Sequence, residues 1–124
     1  MLRNQKGFTL IEIIAVLVIL GILAAVAIPR YISVMEESRR AAAQAAIAEV
    51  KGRASSIYAQ LTLSASGTPT CAQVGASVGG TPNLGPDFVA TATSDAGSIL
   101  ITVSSVKGNT VSVSGSWIWP TGAI

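Results

Sequence analysis

The sequence predicts an α+β protein: one long N-terminal helix, membrane-spanning in its first half and amphipathic in its second, packed on a small antiparallel β-sheet. Three observations predict it. The apolar run that begins at Phe8 and continues to Ile28 carries a single charged residue, Glu12. An alanine-rich stretch with helical spacing follows it. The last third holds three short segments rich in Val, Ile, Thr and aromatic residues, parted by turn residues. The expected organisation is a leader over 1–7, a transmembrane or assembly helix over 8–30, an amphipathic helix over 31–63, and a loop and antiparallel sheet over 64–124.

The leader, Met1 to Gly7, is short, contains Arg3 and Lys6 and has no acid. A segment held on the cytoplasmic side of a membrane has that composition. Arg30, Arg39 and Arg40 flank the far side of the run, offset by Glu36 and Glu37, so charge alone does not set the orientation.

About twenty apolar residues at 1.5 Å rise make roughly 30 Å of helix, enough to cross a bilayer. An acid in hydrocarbon costs about 2.5–3.5 kcal/mol, so Glu12 calls for a partner. No Lys or Arg lies between Phe8 and Ile28. The nearest source of positive charge is the amine made by cutting the chain before Phe8. Gly7 suits a peptidase there, because a residue without a side chain lets the backbone lie close to a catalytic wall. Phe8 and Glu12 then stand four residues apart on one helix face, and the amine and carboxylate of staggered neighbours meet directly. Glu12 is thereby a register device for assembly.

Gly7-Phe8-Thr9-Leu10-Ile11-Glu12 followed by an apolar helix resembles the class III signal peptide of the type IV pilin and type II secretion pseudopilin family. The resemblance is close from Lys6 to about Arg30, looser over the following helix, and beyond that a matter of architecture. It implies cleavage after Gly7 by prepilin peptidase, N-methylation at Phe8, and pairing of Glu12 with the N-terminal amine of a neighbouring subunit. It implies a structural subunit of a homo-oligomeric or mixed pilin filament, a fimbrium, that uses the inner membrane and an assembly platform. The N-terminus is then cytoplasmic before assembly, and the filament periplasmic or at the cell surface. A type IV pilin, acting in adhesion, motility or DNA uptake, is the first reading and a pseudopilin of bacterial secretion the second.

An ordinary secretory signal peptide competes for the same residues, with an h-region from Ile13 to Leu23 and an A-x-A site at Ala25-Val26-Ala27. Cleavage after Ala27 would release a soluble binding module beginning at Ile28. Glu12 at the mouth of the h-region, and a helical pattern that continues past Pro29, stand against it.

Gly21 and Pro29 punctuate the helix. Glycine costs up to ~1 kcal/mol against alanine, and proline removes its own N–H while crowding the carbonyl of Ala25. The span between them is a simple kink or, as the resemblance implies, a helix break where filaments lose helical bonding. Beyond it, Ala41-Ala42-Ala43, Ala45-Ala46 and Ala48 favour helix, while Ile47, Val50, Ala54, Ile57, Tyr58 and Leu61 recur at three- and four-residue steps. Glu36 with Arg39 and Arg40, and Glu49 with Arg53, have ion-pair spacing, each pair contributing about 0.2–0.5 kcal/mol. Basic residues paired in this way form a solvated face, so Arg39, Arg40, Lys51 and Arg53 predict no nucleic-acid partner.

From Ser64 to Gly85 the Gly, Ser, Thr and Pro content reads as a long connecting loop. Strands follow at Asp87–Thr93, Ile99–Ser105 and Thr110–Trp119, with turns at Ser94-Asp95-Ala96-Gly97 and Lys107-Gly108-Asn109. Ile99, Ile101 and Val103 share one face. Val111 and Val113 share another, which reaches Trp117 and Trp119 if no bulge intervenes at Gly115. The two tryptophans read as core or edge packing, with an aromatic binding platform as the lesser alternative.

Hydrophobic residues make up 50% of the 124 and charged ones 11%, a balance foreign to disordered tails. The net charge of +2 belongs to the leader, since taking Arg3 and Lys6 from the eight basic side chains leaves six, equal to the six acidic ones. With no histidine, neither a Ser-His-Asp triad nor a Cys-His pair can be assembled, and no enzyme is expected. Cys71 has no second cysteine to pair with, so the C-terminal disulfide loop common in the resembled family is ruled out, and a buried or free thiol is expected. Asp87 and Asp95 are the only acids in the C-terminal half, too few for a calcium loop. No metal and no cofactor is predicted.

Overall fold

The structure is a computed structural model that describes residues 7–64 and 68–120. The leader residues before Gly7 lie outside the described residues. The elements are α1 (Leu10–Ser64), α2 (Cys71–Val78), β1 (Phe88–Asp95), β2 (Ser98–Val106) and β3 (Asn109–Ile118). Packing divides the chain into two compact units, Met1–Glu37 and Ser38–Ile124.

In the first unit α1 runs unbroken through Gly21 and Pro29. Proline at position 29 leaves the Ala25 carbonyl without its usual donor. Among the described residues nothing covers the helix here: Leu17, Leu20, Leu23, Ile28 and Tyr31 are all exposed. It includes a stretch long and apolar enough to cross a membrane.

In the second unit one stripe of α1 is buried, made by Ala43, Ala46, Ile47, Val50 and Ala54 at helical spacing. The sheet that covers it is an antiparallel meander in the order β1-β2-β3. Ala90 and Ala92 of β1, Ile99, Ile101 and Val103 of β2, and Trp117 of β3 supply the opposing face of the core. Small residues on β1 and on the helix let the larger ones of β2 fill the space between.

The meander follows the predicted strands to within two residues, and both turns tighten to two residues. Lys107 and Gly108 have φ of 49° and 74°. Two left-handed residues in succession make a type I′ turn, whose twist matches that of the strands it joins. The register shifts at Val89/Ala90 and again between Val103 and Ser105, which returns Val106 to the core. No shift occurs at Gly115, so Val111, Val113, Trp117 and Trp119 share a face as the alternation predicts. Glycine is required there, since a Cβ would stand 2.7 Å from Cγ2 of Ile47.

Two expectations need correction. The stretch from Ser64 to Gly85 is not all loop, because it contains α2. Thr70 caps that helix: its hydroxyl accepts from the Gln73 N–H at 3.3 Å, and the Gln73 side chain accepts from the Thr70 N–H at 2.8 Å. This reciprocal box satisfies two donors that a helix start leaves free. Gly75 is where α2 meets β1, and a Cβ there would lie 2.6 Å from that of Ser94. The second correction concerns charge. Of the predicted ion pairs only Arg53–Glu49 closes, at 3.0 Å, and no bridge joins Glu36 to Arg39 or Arg40 among the described residues. These long exposed side chains lose more rotamer freedom by pairing than water-screened attraction returns.

Candidate assembly site

The predicted processing and assembly residues sit together at the start of α1. Gly7 and Phe8 precede the helix, and Phe8 is 86% exposed. Nothing approaches within 4 Å of a Cβ built on Gly7, so the fold of this chain places no demand for glycine there. Gly21 is equally open.

Thr9 stands immediately before α1 as its capping residue, and Glu12 is the third residue of the helix. The Thr9 N–H donates to Oε2 of Glu12 at 2.8 Å, and the Glu12 N–H donates to Oγ1 of Thr9 at 3.4 Å. This is a capping box, and it gives the Glu12 carboxylate a partner within its own chain. The carboxylate also faces the positive end of the helix dipole. A carboxylate can accept about four hydrogen bonds, so the box leaves room for an amine from elsewhere. Thr9 is the site residue that the reading of the sequence overlooked. Its signal was present as Thr-x-x-Glu directly before an apolar run.

The remaining candidates fall outside this cluster and serve packing. Indole Nε1 of Trp117 donates to the Ser55 hydroxyl at 2.9 Å, and Trp117 is buried. Tyr58 meets Trp119 edge-on at a centroid distance of 5.1 Å, and Trp117 meets Trp119 in the same way at 5.7 Å. The three rings thus fasten β3 to α1, as core packing requires. Arg53 spends its guanidinium on Glu49 and on the Asn83 carbonyl. Cys71 is buried at the first turn of α2, and that burial, helped by the charge of Asp95, pushes its thiol above the ordinary range. Among the described residues no group of three or more His, Cys, Asp or Glu side chains converges as metal ligands would.

Comparison with known proteins bears on the same end of the chain. The prokaryotic N-terminal methylation motif matches residues 2–28. The type IV narrow pilus major component PilA5 of Thermus thermophilus is 45% identical over 71 residues, 57% of this chain and 58% of that protein. A fimbrial protein of Pseudomonas aeruginosa is 63% identical over 30 residues, 24% of this chain and 20% of that protein. Type II secretion system core protein G of Pseudomonas aeruginosa is 54% identical over 37 residues, 30% of this chain and 26% of that protein. The chain therefore spans little more than half the length of the first of these relatives and about a quarter or less of the others. No solved structure matches. The motif match over residues 2–28 and these relatives make the N-terminal segment similar to that of type IV pilins and of a type II secretion pseudopilin, and the long helix packed on an antiparallel sheet is in keeping with that similarity.

Proposed function

We propose that the chain is a prepilin, the precursor of a structural subunit of a type IV pilus-like filament. It enters the inner membrane by its apolar helix with the N-terminus cytoplasmic. Prepilin peptidase cuts after Gly7, Phe8 is N-methylated, and the assembly platform draws the chain into a periplasmic or cell-surface filament of like subunits. The observation that carries this reading is the exposure of the large apolar side chains from Phe8 to Met35, a surface that needs either lipid or other helices around it. Packing against copies of the same helix replaces lipid with side chains at little cost in buried apolar area. Glu12 then sets register by penalising a neighbour that brings no amine to it.

A pseudopilin of type II secretion is the second reading, favoured by the similarity to core protein G. A retraction ATPase encoded nearby supports the pilus, and a secretin with secretion components supports the pseudopilin.

Intact mass and N-terminal sequencing of the protein from its own host test the proposal. A chain beginning with methylated Phe8 is expected. One beginning at Ile28 would make the protein a secreted module and leave Glu12 without a role in assembly. Glu12→Val should be processed and inserted as wild type yet give few filaments, and wild-type filament yield would remove its register role.

A further inference from the structure

Between Phe8 and Met35 the exposed apolar surface carries two charged side chains, Glu12 and Arg30. They are eighteen residues apart in the sequence, about five turns, so they stand on the same face of the helix. Glu37 lies about seven turns beyond Glu12 and continues that line. Glu12, Arg30 and Glu37 therefore occupy one stripe, within roughly 20° of arc at 3.6 residues per turn, and Phe8 lies just before the start of that stripe. Glu36 is turned about 100° away and has Arg39 and Arg40 within a turn on its own chain.

Arg30 and Glu37 do not reach each other in one chain. Seven residues separate them by about 10 Å along the axis, and neither makes an ion pair among the described residues. Arg30 is surrounded by exposed apolar side chains, with Ile28 on one side and Tyr31, Ile32, Val34 and Met35 on the other. At a membrane surface that placement costs little, because the guanidinium reaches the headgroups while Tyr31 sits in the interface. Among packed helices the same guanidinium loses its water, and a charge buried without a partner is strongly destabilising.

We infer that Arg30 of one subunit pairs with Glu37 of a second copy of this chain, displaced along the shared helix direction. The inference rests on the filament reading above. A displacement of seven residues brings Arg30 level with Glu37, and one of four brings the amine at Phe8 level with Glu12. Both displacements have the same sense, since the acid belongs to the same subunit in each pair. A shift of five or six residues, about 8–9 Å, leaves each pair within roughly 2–3 Å of level, inside the reach of Arg and Glu side chains. One neighbour then satisfies both pairs along one stripe, and no other charge lies between them on that apolar surface.

Charge exchange in the native host tests the pairing. Arg30→Glu and Glu37→Arg should each lower the yield of sheared filaments about tenfold or more, because each sets like charges against each other. The double variant should recover to within about threefold of wild type, as a reciprocal pair does in a double-mutant cycle. The amount and mass of processed chain in the membrane, measured alongside, should stay at the wild-type level in all three. Single variants with wild-type yield, or a double variant no better than either single, would overturn the pairing. As a second readout, copies carrying Arg30→Cys and copies carrying Glu37→Cys, expressed together, should give an oxidation-dependent dimer in sheared filaments beyond that of either alone. Absence of that dimer also overturns it. Failure of the wild-type chain to form filaments at all would overturn the filament reading, and this inference with it.

Discussion

Gly75 and Gly52 are both helical glycines, and replacing each by alanine should move stability in opposite directions. At Gly52 a Cβ meets nothing within 4 Å. Alanine there gains helix propensity alone, about 0.5–1 kcal/mol. At Gly75 the same methyl lands 2.6 Å from Cβ of Ser94 and 2.9 Å from its hydroxyl. The hydroxyl can rotate away, but Cβ is fixed to the β1 backbone, so α2 must retreat by about 1 Å to reach an ordinary carbon contact. Overpacking of this kind costs about 1–3 kcal/mol. Alanine recovers about 1 kcal/mol of propensity in return, and a net loss of roughly 1 kcal/mol, the middle of the resulting range, remains. For a domain of this size that lowers the melting temperature by roughly 4–8 °C, whereas Gly52→Ala raises it by a few degrees. Thermal and urea unfolding of the detergent-solubilised full chain, followed by fluorescence of the buried Trp117, reads both. A Gly75→Ala chain as stable as wild type, with Gly52→Ala showing its gain, would mean that α2 does not lie against β1 at Ser94.

Other expectations follow from single contacts. Thr70→Ala removes one arm of the box that starts α2 and should cost about 1 kcal/mol, read from the urea midpoint. Lys107→Asn keeps the left-handed turn but with a side chain suited to it, and should raise stability by up to ~1 kcal/mol in the same assay. Trp117→Phe keeps the ring packing but loses the bond to Ser55, and should cost about 1–2 kcal/mol by thermal unfolding. The Cys71 thiol is pushed up in the folded chain, so the folded state holds its proton longer than the unfolded state. Stability from this group is complete below the unfolded thiol range and is lost as pH rises through and above it. A Cys71→Ala chain should show a flatter decline in urea midpoint at alkaline pH, and an unchanged slope would dismiss the effect.

The parts of the fold legible in the sequence are those fixed by short-range chemistry. Ile99, Ile101 and Val103 declare a half-buried strand, and Lys107-Gly108-Asn109 declares the turn after it. The continuation to Trp117 and Trp119 depended on whether Gly115 bulged, a question settled by Ile47 pressing on that glycine from across the core. Helix α2 was hidden for a similar reason. Its composition argues for a loop, and what makes Gly75 acceptable is a neighbour nineteen residues away on β1. The capping signal Thr70-x-x-Gln73 was nevertheless in plain view, as was Thr9-x-x-Glu12 at the candidate site. Glu12 stands out by its cost in an apolar run, and that cost points to an external partner, whereas the near one at Thr9 is marked only by the capping pattern. Ion-pair spacing in Glu36, Arg39 and Arg40 proved a poor guide, because spacing fixes proximity but not the entropy of holding long side chains together.

The two-residue turns of the sheet have a kinetic consequence. Every strand pairs with its neighbour in sequence, so each hairpin closes a loop of minimal length and forms on the microsecond scale. The demanding event is different: Trp117 must find Ser55 across 62 residues of chain. Folding of this domain should therefore be paced by the landing of a ready-made meander on a helix already wound, and Trp117 stands at the point of contact where that landing would be seen as a change in fluorescence.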